Sequence, residues 1–374
     1  MKIGIVCYPT FGGSGVLATE LGHALAKEGH GVHFITYDQP VRLDLLEPNI
    51  YYHEVNVHDY PLFDYQPYEL ALSSQMVETV VAHNLELLHV HYAIPHAYAA
   101  YMAKQILKDR GIDIPIITTL HGTDITLVGK NPSYRPAVKF SIEHSDIVTS
   151  VSESLRSDTI QFFNVSKKIH VIPNFIDLSL YDGEGCDKGQ IADEGCCIVT
   201  HISNFRPLKR TKDVIKIFHG IRQKVNSRLI LIGDGPERNK ALDLAKSLGL
   251  EHDVRYLGRT SEVERILCMS DLFLLPSASE SFGLAALEAM AARVPVISTN
   301  SGGLPEVNID GETGFLCNVG DVTSMADHAI DILTNTELRV KMKKAARRHA
   351  ESFKLSDILP QYEALYEQAI GHKL

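Results

Sequence analysis

Apolar residues in this chain fall in short unbroken runs, and the stretches between the runs carry helical periodicity. Lys2–Cys7, Gly31–Tyr37, Leu87–His91, Pro115–Leu120 and Ile147–Ser150 are such runs, with a helical pattern over Ser14–Glu28 and further helical stretches between the others. A short apolar run without polar alternation suits a strand buried on both faces, as in a parallel sheet. The alternation then restarts. Cys197–His201, Arg228–Ile232, Val254–Leu257, Leu272–Leu275 and Val294–Ser298 are predicted strands. Helices are predicted near Lys212–Val225, Arg238–Leu248, Glu262–Cys268 and Gly283–Ala291, and terminal ones at Leu338–Phe353 and Asp357–Ile370. Strand–helix alternation that runs twice predicts an α/β chain of two doubly wound, Rossmann-like domains, over residues 1–170 and 171–356. Asp182–Gly195, polar and Gly-rich, reads as a loop beside the link.

Composition narrows the classes. A chain of 374 residues is long enough for two domains, each with its own core. A net charge of -10 argues against nucleic acid as the main partner, and the basic run Lys341–Arg348 reads as a solvated helix face. Met1-Lys-Ile-Gly-Ile-Val opens directly into a strand and no apolar run is long enough for a bilayer, so neither a signal peptide nor a membrane segment is expected. The six cysteines, at 7, 186, 196, 197, 268 and 317, have no C-x-x-C spacing. They read as reduced thiols of a cytoplasmic protein.

The chemistry concentrates in Glu280-Ser-Phe-Gly-Leu-Ala-Ala-Leu-Glu288. A strand, a Ser/Gly turn and a helix start form an anion site, because the first helical N–H groups have no partner and carry the positive end of the dipole. The amides of Phe282, Gly283 and Leu284 are therefore expected to face a phosphate, with Glu288 two turns into the helix to hold ribose hydroxyls and Glu280 near whatever the phosphate carries. A glycosidase pair is a poor fit. Retaining hydrolases hold their carboxyls about 5 Å apart, whereas eight residues of helix rise about 12 Å.

Other motifs follow in order: Thr119-Leu-His121-Gly-Thr-Asp124, Val171-Ile-Pro-Asn-Phe-Ile-Asp177, Ile232-Gly-Asp-Gly-Pro236, Tyr256-Leu-Gly258, Ser301-Gly-Gly-Leu-Pro-Glu306 and Gly311-Glu-Thr-Gly-Phe315. With the E-x7-E stretch they resemble the retaining GT-B nucleotide-sugar glycosyltransferases of family 4, over essentially the whole chain. That resemblance implies two domains facing a deep cleft, with the helix 357–374 packing back on the first. His121 is expected to contact the transferring sugar, and Gly233, Gly235, Leu257 and Gly258 to belong to the nucleotide loops. Gly13, Ser14 and Gly15 would close over the donor diphosphate. Such enzymes neutralise the leaving group with an Arg and a Lys, and no convincing D-x-D metal motif is present. Lys209 stands at the family's Lys position, but Asn204 occupies the Arg position, so Arg206 is the expected substitute and Arg210 the fallback. No divalent metal is expected to be required. His89 and His91, with His96 nearby, are expected without zinc.

The opening Cys7-Tyr-Pro-Thr-Phe-Gly-Gly-Ser-Gly-Val is similar to the family branch that transfers N-acetylglucosamine to L-malate, the first step of bacillithiol biosynthesis. It implies UDP-GlcNAc as donor and malate as acceptor, with Ser14, Tyr92, Thr123 and Arg135 as acceptor ligands and the donor phosphate as base. Three alternatives stay open here, one of them a non-catalytic sugar-nucleotide sensor, against which the intact Glu280, Glu288, Lys209 and His121 count. An inositol phosphate or a lipid could replace malate, and Gly13-Ser-Gly15-Val-Leu-Ala18 with Asp38 also satisfies a dinucleotide fingerprint, which would make the chain an NAD-dependent dehydrogenase. Whether the chain forms a homo-oligomer is left open.

Overall fold

The computed structural model describes residues 1–10, 13–57, 66–182 and 186–371. Phe11 and Gly12 of the opening motif lie outside that range. The chain divides into two compact units, Met1–Phe175 with Leu355–Leu374, and Ile176–Lys354.

In the first unit the elements run β1 (Lys2–Val6), α1 (Gly13–Lys27), β2 (Gly31–Thr36), β3 (Ile50–Glu54), α2 (Tyr68–His83), β4 (Leu87–His91), α3 (Tyr98–Asp109), β5 (Ile116–Leu120), α4 (Arg135–His144), β6 (Ile147–Ser150), α5 (Glu153–Phe163) and β7 (Ile169–Val171). The sheet order is β3-β2-β1-β4-β5-β6-β7, with every pairing parallel. Every residue of β4 and β5 is buried, the polar His89, His91, Thr118 and Thr119 among them. Leu72, Met76 and Val80 of α2 pack with Ala100, Ala103 and Leu107 of α3 on one side of this sheet's core.

The second unit runs β8 (Cys197–Ile202), α6 (Thr211–Arg222), β9 (Ser227–Ile232), α7 (Arg238–Ser247), β10 (Val254–Gly258), α8 (Val263–Cys268), β11 (Leu272–Leu275), α9 (Leu284–Ala291), β12 (Val296–Thr299), α10 (Leu304–Val307), β13 (Gly314–Cys317), α11 (Val322–Thr334) and α12 (Thr336–Ala350). Its parallel sheet has the order β10-β9-β8-β11-β12-β13. Both sheets thus reverse direction beside their first strand, between β1 and β4 and between β8 and β11. A reversal of that kind leaves a crevice at the strands' carboxyl ends, because the two flanking connections leave for opposite faces.

Three strands escaped the sequence pattern, β3, β7 and β13. All are sheet edges or next to one and are short or half-exposed: Ile-Tyr-Tyr-His-Glu in β3 is buried only at Ile50. Edge strands meet water and need no apolar run. The expectation that all the cysteines are reduced is corrected. Cys186 and Cys268 form a disulfide, Cα to Cα 5.6 Å, between the connection that leads into β8 and the end of α8. Eighty-two residues separate them in sequence, and nothing in their spacing betrays the pairing. The bridge removes the cysteine count as an argument for a reducing compartment.

The last helix, α13 (Leu355–Gly371), belongs to the first unit, where it lies against α1, β4 and β5. Tyr366, fully buried, is hydrogen bonded through its hydroxyl to Nδ1 of His89 at 2.8 Å. From His89 the chain of bonds continues through Nε2 to Thr119 (2.7 Å) and from Thr119 to Thr149 (2.7 Å), crossing β4, β5 and β6. Replacing Tyr366 by Phe leaves the His89 nitrogen buried without its partner, and is expected to cost about 1–3 kcal/mol of stability. Urea unfolding of Y366F against wild type measures it, and an unchanged midpoint would show that α13 is held by apolar packing alone.

Candidate functional site

Four loops of the second unit meet at the carboxyl ends of its strands. After β8, the Ser203 N–H donates to the Ile232 carbonyl (3.1 Å) and the Glu237 N–H to that of Phe205 (2.9 Å), so the loops after β8 and β9 lie backbone to backbone. Glycine is required there. Gly233 has φ of 113°, and a Cβ on Gly233 or Gly235 would run into the carbonyl oxygens of Ser203 and Asn204 respectively. The Gly233 N–H donates to Gly258 (2.8 Å), which draws in the end of β10 beside Leu257. His201, fully buried, bridges the Leu274 carbonyl and the Ser203 hydroxyl, both at 2.8 Å. Burial pushes it down to about 4, so it is neutral.

The loop after β11 completes the arrangement. Its Ala278 N–H donates to the Leu208 carbonyl (2.7 Å), beside the reversal of strand order. Across that junction Lys209 Nζ meets both carboxylate oxygens of Glu280, at 2.6 and 2.7 Å, with both side chains largely buried. The Glu280 carbonyl accepts from the Gly303 N–H at 2.8 Å, which ties in the loop after β12.

Helix α9 starts one residue later than the sequence pattern suggests. Gly283 is its cap, with φ of 105°, and its carbonyl accepts from Ala286 and Leu287. The N–H groups without an intrahelical partner therefore run to Ala285, and Glu288 lies about one turn into the helix, not two. The Phe282 ring is buried edge-on against Phe353 at 5.7 Å, which leaves only its backbone amide for the expected role. Asn204, expected at the donor, and Arg206, the expected phosphate ligand, are both exposed. Arg210 is committed elsewhere, to Asp213 in the first turn of α6 at 2.5–2.6 Å.

A second cluster occupies the equivalent place in the first unit. Ser14, at the start of α1, is hydrogen bonded to the Tyr92 hydroxyl at 2.5 Å. Gly15 packs on the loop before it, where a Cβ would press on the carbonyls of Tyr8 and Thr10. Tyr92 follows β4, holds φ of 82°, and its ring lies 5.0 Å from that of His121. His121 follows β5, and its Nε2 is hydrogen bonded to Nδ1 of His91 at 2.8 Å. The rings of His89, His91 and His121 stack in series. Burial holds His89 and His121 down to about 3, and His91 well below its ordinary value, so the stack is uncharged. Thr123 stands two residues beyond His121, half-buried. Arg135 is not joined to this group by a hydrogen bond; it donates to the Phe162 carbonyl of α5 at 2.5 Å.

One organising residue went unassigned in the sequence reading. Asp124, 2% exposed, accepts from the Ala93 N–H (2.9 Å) and the Gly122 N–H (3.0 Å), pinning the loops after β4 and β5 to each other. Burial raises its carboxyl to about 6 in spite of those donors. It sits inside the His-Gly-Thr-Asp motif, but only the fold shows that its partners are backbone groups of two loops.

Comparison with known proteins decides the family. Residues 11–180 match the model described as Glycosyltransferase Family 4, and residues 188–349 the one described as Glycosyl transferases group 1. The chain is 50% identical over 370 residues to the N-acetyl-alpha-D-glucosaminyl L-malate synthase of Bacillus anthracis, covering 98% of this chain and 96% of that one. The chain belongs to the family 4 glycosyltransferases. The glycosyltransferase shares the GT-B fold with the sucrose-phosphate synthase of Thermosynechococcus elongatus (TM-score 0.82, 21% identity, 100% of both chains). It shares it also with the Anabaena HepE crystal structure in complex with UDP and glucose (TM-score 0.80, 22% identity, 98% and 100%). Its family takes a nucleotide-sugar donor without an essential metal, and the dehydrogenase alternative is set aside. Among the described residues of the glycosyltransferase, no helix is long and apolar enough to cross a membrane.

The buried imidazoles are expected to make the glycosyltransferase acid-sensitive. A histidine whose folded pKa is depressed from 6.5 to about 3 contributes stability above 6.5 that is lost as pH falls toward 3. Asp124, raised from 3.8 to about 6, has the opposite sign and loses stability as pH rises through that window. His89, His91, His121 and His201 outnumber it, so the denaturant midpoint is expected to fall between about pH 7 and pH 5. A midpoint flat across that range would mean the imidazoles are not held neutral.

Proposed function

We propose that this glycosyltransferase moves N-acetylglucosamine from UDP-GlcNAc to the hydroxyl of L-malate with retention at the anomeric carbon, and that it does so in the cytoplasm. The observation that carries the donor and acceptor is the 50% identity, over nearly the full length of both chains, to the Bacillus anthracis L-malate synthase.

The geometry supports a role for each group. UDP leaves as an anion, and the charge grows on its phosphate oxygens. Lys209, Arg206 and the open N–H groups at the start of α9 supply fixed positive potential for it. Lys209 already has a carboxylate partner in Glu280, so the ammonium is held in place before the donor arrives. Glu280 then takes hydroxyls of the sugar, Glu288 those of the ribose, and Gly233, Gly235, Leu257 and Gly258 border the nucleotide. Gly13, Ser14 and Gly15 approach the diphosphate. His121 faces the sugar as a neutral ring. An uncharged imidazole does not repel the positive charge that gathers at the anomeric carbon, as an imidazolium would.

The bond from that carbon to the phosphate oxygen breaks, and the bond to the malate oxygen forms on the same face. The malate hydroxyl proton passes to the departing phosphate oxygen, so no protein base is needed. Malate is held by Ser14, Tyr92 and Thr123, with Arg135 available to a carboxylate once it leaves the Phe162 carbonyl.

Incubation with UDP-GlcNAc, L-malate and EDTA is expected to release UDP and form an α-linked N-acetylglucosaminyl malate, read by mass and by the anomeric coupling in NMR. Donor binding without product would overturn the acceptor, and absence of donor binding would overturn the whole assignment. K209A is expected to lower kcat about 10²–10³-fold, as loss of one charge-stabilising donor does elsewhere. E280Q is expected to retain donor binding while slowing transfer.

A further inference from the structure

Away from these loops, three imidazoles converge on the opposite side of the first sheet's edge. His33 lies on β2 and His53 on β3, and the register pairs Ile35 with His53. Directly paired residues of parallel strands share a face, and so do residues two apart, so His33 and His53 project to the same side. Helix α2 packs on these strands and ends with His83, whose ring lies 4.7 Å from that of His33 and 4.9 Å from that of His53. His33 Nδ1 and His53 Nε2 are 2.9 Å apart, and one ligand nitrogen from each of the three rings falls within 4.8 Å of the others. We propose that His33, His53 and His83 bind one divalent transition-metal ion of the zinc type.

The geometry suits it. Zinc bound to histidine at about 2.0–2.1 Å in a tetrahedron keeps its ligand nitrogens about 3.4 Å apart, a separation these rings reach by small rotations. One of the two rings donates in the 2.9 Å bond, so metal binding moves that ring's hydrogen to its outer nitrogen, Nε2 of His33 or Nδ1 of His53, with no net loss of a proton. His33 is 3% exposed while the other two are half-buried, which leaves a solvent-facing side for a fourth ligand. Tyr51 stacks on His33 at 4.5 Å and holds its ring plane. Burial and the neighbouring rings lower His33 to about 3 and also lower His53, so both present lone pairs at neutral pH.

The chemistry selects the ion. The three ligands are nitrogens, and the Lys2 ammonium is bonded to the His83 carbonyl at 3.0 Å, so the site offers neither the oxygens nor the negative charge that magnesium or calcium needs. Imidazole suits zinc, cobalt, nickel or copper. The end of α2 lies beside the amino end of β1, away from the carboxyl ends where the transfer loops gather. The ion would clamp β2, β3 and α2 to one another, independently of the transfer reaction.

Metal-stripped full-length protein, titrated with zinc chloride by calorimetry and with cobalt chloride by its visible absorption, tests the site. One equivalent of zinc is expected to bind, cobalt to develop the intense bands of a tetrahedral complex, and the thermal midpoint to rise with free zinc. His53→Ala and His83→Ala are each expected to weaken zinc binding by about tenfold or more, and the exposed His252→Ala to leave it unchanged. Variants are checked for fold by circular dichroism. On unmutated protein, cobalt is expected to shift the NMR resonances of these three histidines. Zinc affinity unchanged in H53A and H83A, or cobalt shifts that fall on other histidines, would overturn the proposal.

Discussion

The feature on which the rest depends is the reversal of strand order beside the first strand of each parallel sheet. A parallel sheet needs covering helices on both faces, and the chain can change faces only by stepping from β1 to β4, or from β8 to β11. At that step the two connections diverge and leave backbone amides and carbonyls open at the strand ends. The groups proposed for transfer lie on loops, helix starts or last strand residues at those ends. The glycines of the second unit follow from the same constraint, because loops that converge from four strands must touch backbone to backbone, and a Cβ at Gly233, Gly235 or Gly302 has no room.

The two units solve opposite electrostatic problems. In the second, the loops gather charge and fix it in pairs: Lys209 with Glu280, and Arg210 with Asp213. An ammonium held by a carboxylate at 2.6 Å is oriented in advance, so less ordering remains when an anion arrives. In the first, burial strips charge from His89, His91 and His121 and leaves a neutral stack on which Tyr92 rests. Asp124, three residues beyond His121, is held by two backbone N–H groups and keeps the loops after β4 and β5 in register. In the proposed reaction, a diphosphate leaving group calls for the first kind of surface and a developing oxocarbenium for the second.

Much of this was legible in the residues, for physical reasons. Interior strands are dry on both faces and must be written in apolar runs, so β1, β4, β5, β8, β9 and β11 were placed within a residue or two. Gly283 signalled its helix start because only glycine takes φ of 105° at no steric cost. What was not legible has equally definite causes. The half-wet edge strand β3 carries no apolar run, and the α9 cap at Gly283 puts Glu288 nearer the helix start than expected. The ties that hold the site, Ala278 to Leu208 and Asp124 to Ala93, join a side chain or an amide to backbone groups, which any residue type could supply.

The sequence by itself determined the two parallel-sheet units, the order of the loops at the strand ends and the family to which they belong, since periodicity and local motifs are properties of neighbouring residues. Only the tertiary structure decided which distant groups meet. It set Lys209 against Glu280 across 71 positions, joined Cys186 to Cys268 across 82, and brought His33, His53 and His83 from two strands and a helix end into one cluster. Contacts of that kind are fixed by strand order and register, which spacing along the chain does not encode.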